Sequence, residues 1–107
     1  MKIGVLLSSN DPEGAWNAFR FANTARDGGH DVRVFLMGKG VEVVALRDAT
    51  FDVGKQLRRF AKRGGEVLAC GTCLDLRKRD AGPSCSPSTM RSFLDIVVSV
   101  DRLVSFG

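Results

Sequence analysis

The chain has 107 residues, 44% of them hydrophobic and 26% charged, and carries a net charge of +4. That length and balance suit one globular domain over residues 1–107 with one well-buried core, and exclude a disordered chain. No apolar run approaches the roughly 20 residues of a membrane span, and a modest positive charge steers acidic partners only weakly, so neither a membrane nor direct nucleic-acid binding is expected.

Ile3 to Leu7 is a continuous apolar run of strand length, the pattern of a parallel strand buried on both faces. The start of the chain is too short and too soon polar for a signal peptide, so the expected location is the cytoplasm, where thiols stay reduced. Ser8-Ser9-Asn10-Asp11 is a polar loop, with Asn10 or Asp11 placed to cap a helix that has Pro12 at its first position. Ala15, Ala18, Phe19, Ala22 and Ala25 then recur at helical spacing until Gly28-Gly29. Trp16, Phe19 and Phe21 on this helix are core or subunit contacts. Val32 to Met37 reads as a second strand and Gly38-Lys39-Gly40 as a turn. Val41 to Arg47 fits a short helix or an extended segment, and helix is the preferred reading.

Val53, Leu57, Phe60 and Ala61 mark an amphipathic helix closed by Gly64-Gly65. Its basic residues Lys55, Arg58, Arg59, Lys62 and Arg63 read as a solvated face, as do Arg77, Lys78 and Arg79. Glu66 to Ala69 is a third strand, and Leu74 to Lys78 a short helix. Ala81 to Pro87 is loop-like with room for an edge strand. Ser88 is placed to cap a last helix through Met90, Phe93, Leu94, Val97 and Val98, and Leu103 to Phe106 is the final strand. Strands alternating with helices predict an α/β fold: a mainly parallel sheet of about five strands with helices on both faces. In such folds chemistry gathers at the carboxyl ends of the strands. Ser8 and Asn10 after the first strand, Gly40 after the second, and Cys70 after the third all belong to that edge.

Cys70-Gly71-Thr72-Cys73 carries the chemistry of that edge. A thiol at a strand end facing the start of a helix has its thiolate stabilised by backbone N–H groups, which favours a nucleophilic sulfur. Two thiols at this spacing admit persulfide transfer by one accessible cysteine, disulfide exchange between both, or metal binding. Cys70 and Cys73 are the candidate catalytic pair, with Gly71 and Thr72 between them and Arg77, seven residues after Cys70, placed to stabilise an anion or simply to face water. A zinc site wants four ligands, whereas the chain offers Cys70, Cys73, Cys85 and one histidine, His30, which belongs to the opposite edge. No metal and no cofactor are therefore expected. Cys85 is a resolving thiol if a fourth strand carries it to the Cys70 edge, and an incidental small residue otherwise. The first loop lacks both common phosphate-binding glycine patterns, which argues against a nucleotide site.

Three stretches resemble one known family. They are Glu13 to Ala22 with Gly29 to Val41; Ala69-Cys70-Gly71-Thr72-Cys73 with Arg77; and Asp101 to Gly107. In order and spacing they are similar to the DsrE/DsrF-like family of sulfur-relay proteins. The resemblance implies a three-layer α/β/α domain with a five-stranded parallel sheet, a homo-oligomer (trimer or hexamer), and sulfur carried as a cysteine persulfide between donor and acceptor proteins. The family's cysteine matches Cys70, or Cys73 if the alignment slides, and Cys70 is slightly preferred. The chain departs from the family in one place. A glycine commonly follows the arginine of the cysteine segment, but here Lys78-Arg79-Asp80-Ala81 intervene before Gly82. The expected function is a small sulfur carrier or sulfurtransferase. The rivals are a non-catalytic interaction subunit of the same fold and a dithiol redox protein.

Overall fold

The computed structural model covers residues 1–107. Five strands, β1 (Lys2–Leu7), β2 (Asp31–Leu36), β3 (Glu66–Cys70), β4 (Ser86–Ser88) and β5 (Arg102–Phe106), form one sheet in the order β4-β3-β2-β1-β5. Every pairing is parallel. The helices are α1 (Pro12–Asp27), α2 (Val53–Lys62), α3 (Gly71–Leu76) and α4 (Met90–Ser99). A 3-10 helix, Gly38–Ala45, follows β2.

Alternation along the strands assigns their side chains to two layers. Val5, Val34 and Val67 stand level with one another and are buried beneath α1 and α2, which pack together through Phe19 and Phe60. On the other face Phe35 stacks on Phe93 of α4, ring centres 4.8 Å apart. Gly4 keeps that face thin: a β-carbon there would lie 3.0 Å from Ile96 and 3.1 Å from Leu103. The two layers are unequally finished. The inner stripe of α4, Phe93, Ile96 and Val100, packs on the sheet, while Met90, Leu94 and Val98 on its outer side remain 56%, 54% and 73% exposed.

Local chemistry explains the boundaries. The Asp11 carboxylate accepts the Gly14 N–H at 2.8 Å with Pro12 opening α1, and Asp52 caps α2 through Lys55. Three expectations shift. The helix read at Val41–Arg47 begins earlier and winds as a 3-10 helix, because Gly38 turns at φ +57 and the Gly40 N–H bonds back to the Met37 carbonyl. The short helix read from Leu74 starts at Gly71, with no loop after β3. Thr89, not Ser88, caps α4 by accepting the Ser92 N–H at 3.1 Å, because Ser88 is held in the sheet opposite Cys70. The basic face of α2 is partly paired: Arg59 and Arg63 both meet Asp27 at the end of α1. No helix is long and apolar enough to cross a membrane.

Candidate functional site

The strand register fixes where the thiols lie. Leu7, Leu36 and Ala69 end level with one another, so the segments leaving β1, β2 and β3 meet at one edge. The chain leaves β3 at Cys70 and turns at once into α3. Gly71 permits that turn, since a β-carbon there would stand 3.1 Å from the Ser88 carbonyl oxygen. Cys70 points into the core and is 4% exposed, whereas Cys73, one helical turn on, is half-buried at the rim. All three cysteines are free thiols.

Around Cys73 the contacts close into a ring. The backbone N–H of Gly38 donates to the Cys73 sulfur at 3.3 Å. The Arg77 guanidinium donates from Nη1 to the Cys73 carbonyl at 3.2 Å and from Nε to the Glu42 carboxylate at 2.8 Å. Glu42 and Gly38 belong to the same 3-10 helix. From the third side, Asn10 Nδ2 donates to the other Glu42 oxygen at 3.2 Å. The Arg77 hydrogen bond, helped by that of Asn10, holds the Glu42 carboxyl below the usual glutamate range. An N–H donated to sulfur stabilises negative charge on it, so this arrangement suits a sulfur that must attack or leave as an anion.

Gly40 supports the ring from beneath, since a β-carbon there would run into the Leu7 carbonyl oxygen. The Ser8 hydroxyl instead donates to the Gly107 carbonyl at 3.1 Å, tying the first loop to the end of β5 rather than to the thiols. Thr72 is exposed beside Cys73. The structure does not bring Cys85 to this edge. It precedes Ser86, which pairs with Leu68, so Cys85 stands level with the start of β3, roughly 10 Å along the strand from Cys70. There it is buried, and desolvation pushes its thiol up to about 11. His30 lies at that same far edge, its Nδ1 2.8 Å from the chain's amino terminus.

Two members of the ring, Gly38 and Glu42, had no assigned role in the sequence reading. Glu42 did carry a signal: it is the one charged residue in the apolar run Val41–Ala45, directly after a strand.

Comparison with known proteins accords with this architecture. The model of the DsrE/DsrF-like family matches residues 1–106. The uncharacterized protein MJ0989 of Methanocaldococcus jannaschii is 30% identical over 114 residues, covering 99% of this chain and all of that protein. The crystal structure of the ychN protein from E. coli superposes with a TM-score of 0.84 at 24% identity, covering 99% of this chain and 100% of that one, and shares its fold.

Proposed function

The chain belongs to the DsrE/DsrF-like family, and on that premise we propose that it is a cytoplasmic sulfur carrier that accepts and passes on sulfur as a persulfide of Cys73. The observation that carries the reading is the Gly38 N–H on the Cys73 sulfur at a half-exposed position on the carboxyl edge of the sheet. The sequence preference for Cys70 gives way because a thiol buried in the core meets no donor.

The step conserves atoms and electrons. The Cys73 thiolate attacks the outer sulfur of a donor R–S–SH, a new S–S bond forms, the donor's S–S bond breaks, and R–S⁻ leaves with the bonding pair. Cys73 then holds S–SH, and an acceptor thiolate attacks that outer sulfur in turn. The Gly38 amide accommodates the charge when Cys73 is the attacking or departing anion. The donor is a protein that presents a persulfide to this edge, and the acceptor one that presents a thiol. The apolar outer side of α4, with exposed Leu103 beside it on β5, supports the further reading that the chain also associates with copies of itself.

The test is mass spectrometry after incubation with a low-molecular-weight persulfide. The expected result is a gain of one sulfur atom that maps to Cys73, survives Cys70→Ser and Cys85→Ser, and vanishes in Cys73→Ser. An adduct lost only in Cys70→Ser moves the role to Cys70. No adduct with any donor defeats the reading.

A further inference from the structure

We propose that Glu42 is the positioning residue of this site: acting through Arg77, it keeps the Cys73 sulfur against the Gly38 amide. The inference rests on Cys73 being the reacting thiol. α3 has only six residues, and no capping side chain fixes its start. The buried Leu74 and the direct exit from β3 anchor it, and its fine placement at the rim is left to contacts with the 3-10 helix. Two such polar contacts are visible, and they form a closed circuit. One runs from the Gly38 N–H to the Cys73 sulfur at 3.3 Å. The other runs from Glu42 to Arg77 at 2.8 Å and on from Arg77 to the Cys73 carbonyl at 3.2 Å. Glu42 and Gly38 share one element, while Cys73 and Arg77 belong to α3 and its C-terminal cap. The long link thus fixes the reach of the short one.

The carboxylate is itself held. Asn10 from the loop after β1 donates to its second oxygen at 3.2 Å, so Glu42 gathers the segments following three adjacent strands. The pair stands at the rim, 28% exposed at Arg77 and 31% at Glu42, so it adds little stability and acts by fixing the geometry of the link. Geometry rather than charge is the operative property. A carboxylate close to a thiolate opposes it, whereas a held amide N–H favours it.

The experiment uses the full-length chain and two readouts that need no sulfur donor: the exchange rate of the Gly38 amide hydrogen, and the rate at which iodoacetamide alkylates Cys73 at neutral pH. In Glu42→Ala the Gly38 amide is expected to exchange about tenfold faster and Cys73 to react about fivefold more slowly, the scale of one hydrogen bond to a charged acceptor. Glu42→Gln keeps an oxygen for Arg77 Nε and is expected to restore both rates to within about twofold. Arg77→Met should match Glu42→Ala, and the double variant should be no worse than either single one, because both cut the same link. If Glu42→Ala does not fold, Arg77→Met decides the question on the same readouts. Unchanged exchange and alkylation in these variants overturn the proposal. So does faster alkylation in both Glu42→Ala and Glu42→Gln, which would make Glu42 a charge acting on the thiolate. A wild-type chain that shows these rates yet takes no sulfur from any donor would defeat the proposed function and leave the positioning role standing.

Discussion

The two ends of the sheet carry the same chemical parts arranged to opposite ends. Each has a cysteine, a carboxylate–guanidinium pair and a glycine with no room for a side chain. At the carboxyl edge, Glu42 and Arg77 are linked to the backbone of a half-exposed Cys73, and Gly40 presses on the Leu7 carbonyl. At the amino edge, Asp27 meets Arg63 and Arg59 on the outside, Gly65 packs on the Phe60 ring, and Cys85 lies buried where desolvation outweighs a backbone hydrogen bond from Ser86. The parts alone do not make a site. What distinguishes the carboxyl edge is that its pair and its thiol share elements, so that holding one holds the other.

The largest expected contrast is between the thiols themselves. Cys73→Ser should abolish persulfide loading, whereas Cys85→Ser should leave it intact, both read by mass spectrometry. Equal loss in the two variants would erase the distinction between the edges. The glycines come next. Gly40→Ala and Gly65→Ala each overpack, at a cost of about 1–3 kcal/mol, with Gly40→Ala at the upper end because its obstacle is a backbone carbonyl rather than a ring 2.5 Å away that can tilt. Denaturant unfolding measures both costs. Only Gly40→Ala should also slow Cys73 alkylation in the folded protein, since residue 40 sits between Gly38 and Glu42.

The three central strands were legible because β1, β2 and β3 carry short apolar runs flanked by polar residues or glycine, the pattern that burial in a parallel sheet demands, whereas the edge strand Ser86-Pro87-Ser88 has no such run. The segment after β2 was less so. Val41-Glu42-Val43-Val44 satisfies helix and strand patterns alike, and the 3-10 winding is set by Gly38 at φ +57 and by the pressure of Gly40 on β1. Cys70, Cys73, Arg77 and Asn10 could be assigned to one edge from strand order alone. The Glu42–Arg77 contact could not, because it spans 35 residues and exists only once β2 and β3 are paired. Cys85 shows the same limit: its distance from the site is a matter of register, and register places Ser86 opposite Leu68. Ser88 and Thr89 are adjacent hydroxyls; serine is the better cap by residue type, and the sheet pairing that occupies Ser88 hands the role to Thr89.

The buried thiol gives the next effect in size. Desolvation raises Cys85 from 9.0 to about 11, so the folded chain keeps a proton that the unfolded chain has lost between those values. Stability from this group is complete below pH 9.0 and is lost as pH rises through about 11, a loss of roughly 2–3 kcal/mol. The chain has no tyrosine to titrate in that window. Urea unfolding of wild type against Cys85→Ala should show the wild type losing stability relative to the variant as pH rises from 9 to 11. A smaller gain is available beside the site. Lys78 holds the left-handed conformation at φ +50 just past α3, the conformation a glycine adopts without strain. Lys78→Gly should therefore stabilise the chain by about 1 kcal/mol in the same measurement.

The acid limb gives the smallest effect and the sharpest comparison of the edges. Asp27 is held below 3.8, chiefly by its hydrogen bond from Arg63, and Glu42 below 4.5, chiefly by that from Arg77. For a depressed carboxyl the sign is fixed. The unfolded chain takes up the proton first as pH falls, so the stabilisation is complete above the unfolded value and disappears as pH drops through the folded one. Both pairs are open to solvent, so each contributes little and added salt weakens it further. Asp27→Asn and Glu42→Ala should both flatten the loss of stability below pH 4.5, yet only Glu42→Ala should slow alkylation of Cys73 at neutral pH. Matching acid behaviour with divergent sulfur reactivity would locate the function in the connection between pair and thiol. If Asp27→Asn slowed Cys73 as well, the two ends of the sheet would be coupled through the strands, and the carboxyl edge would lose its claim to act alone.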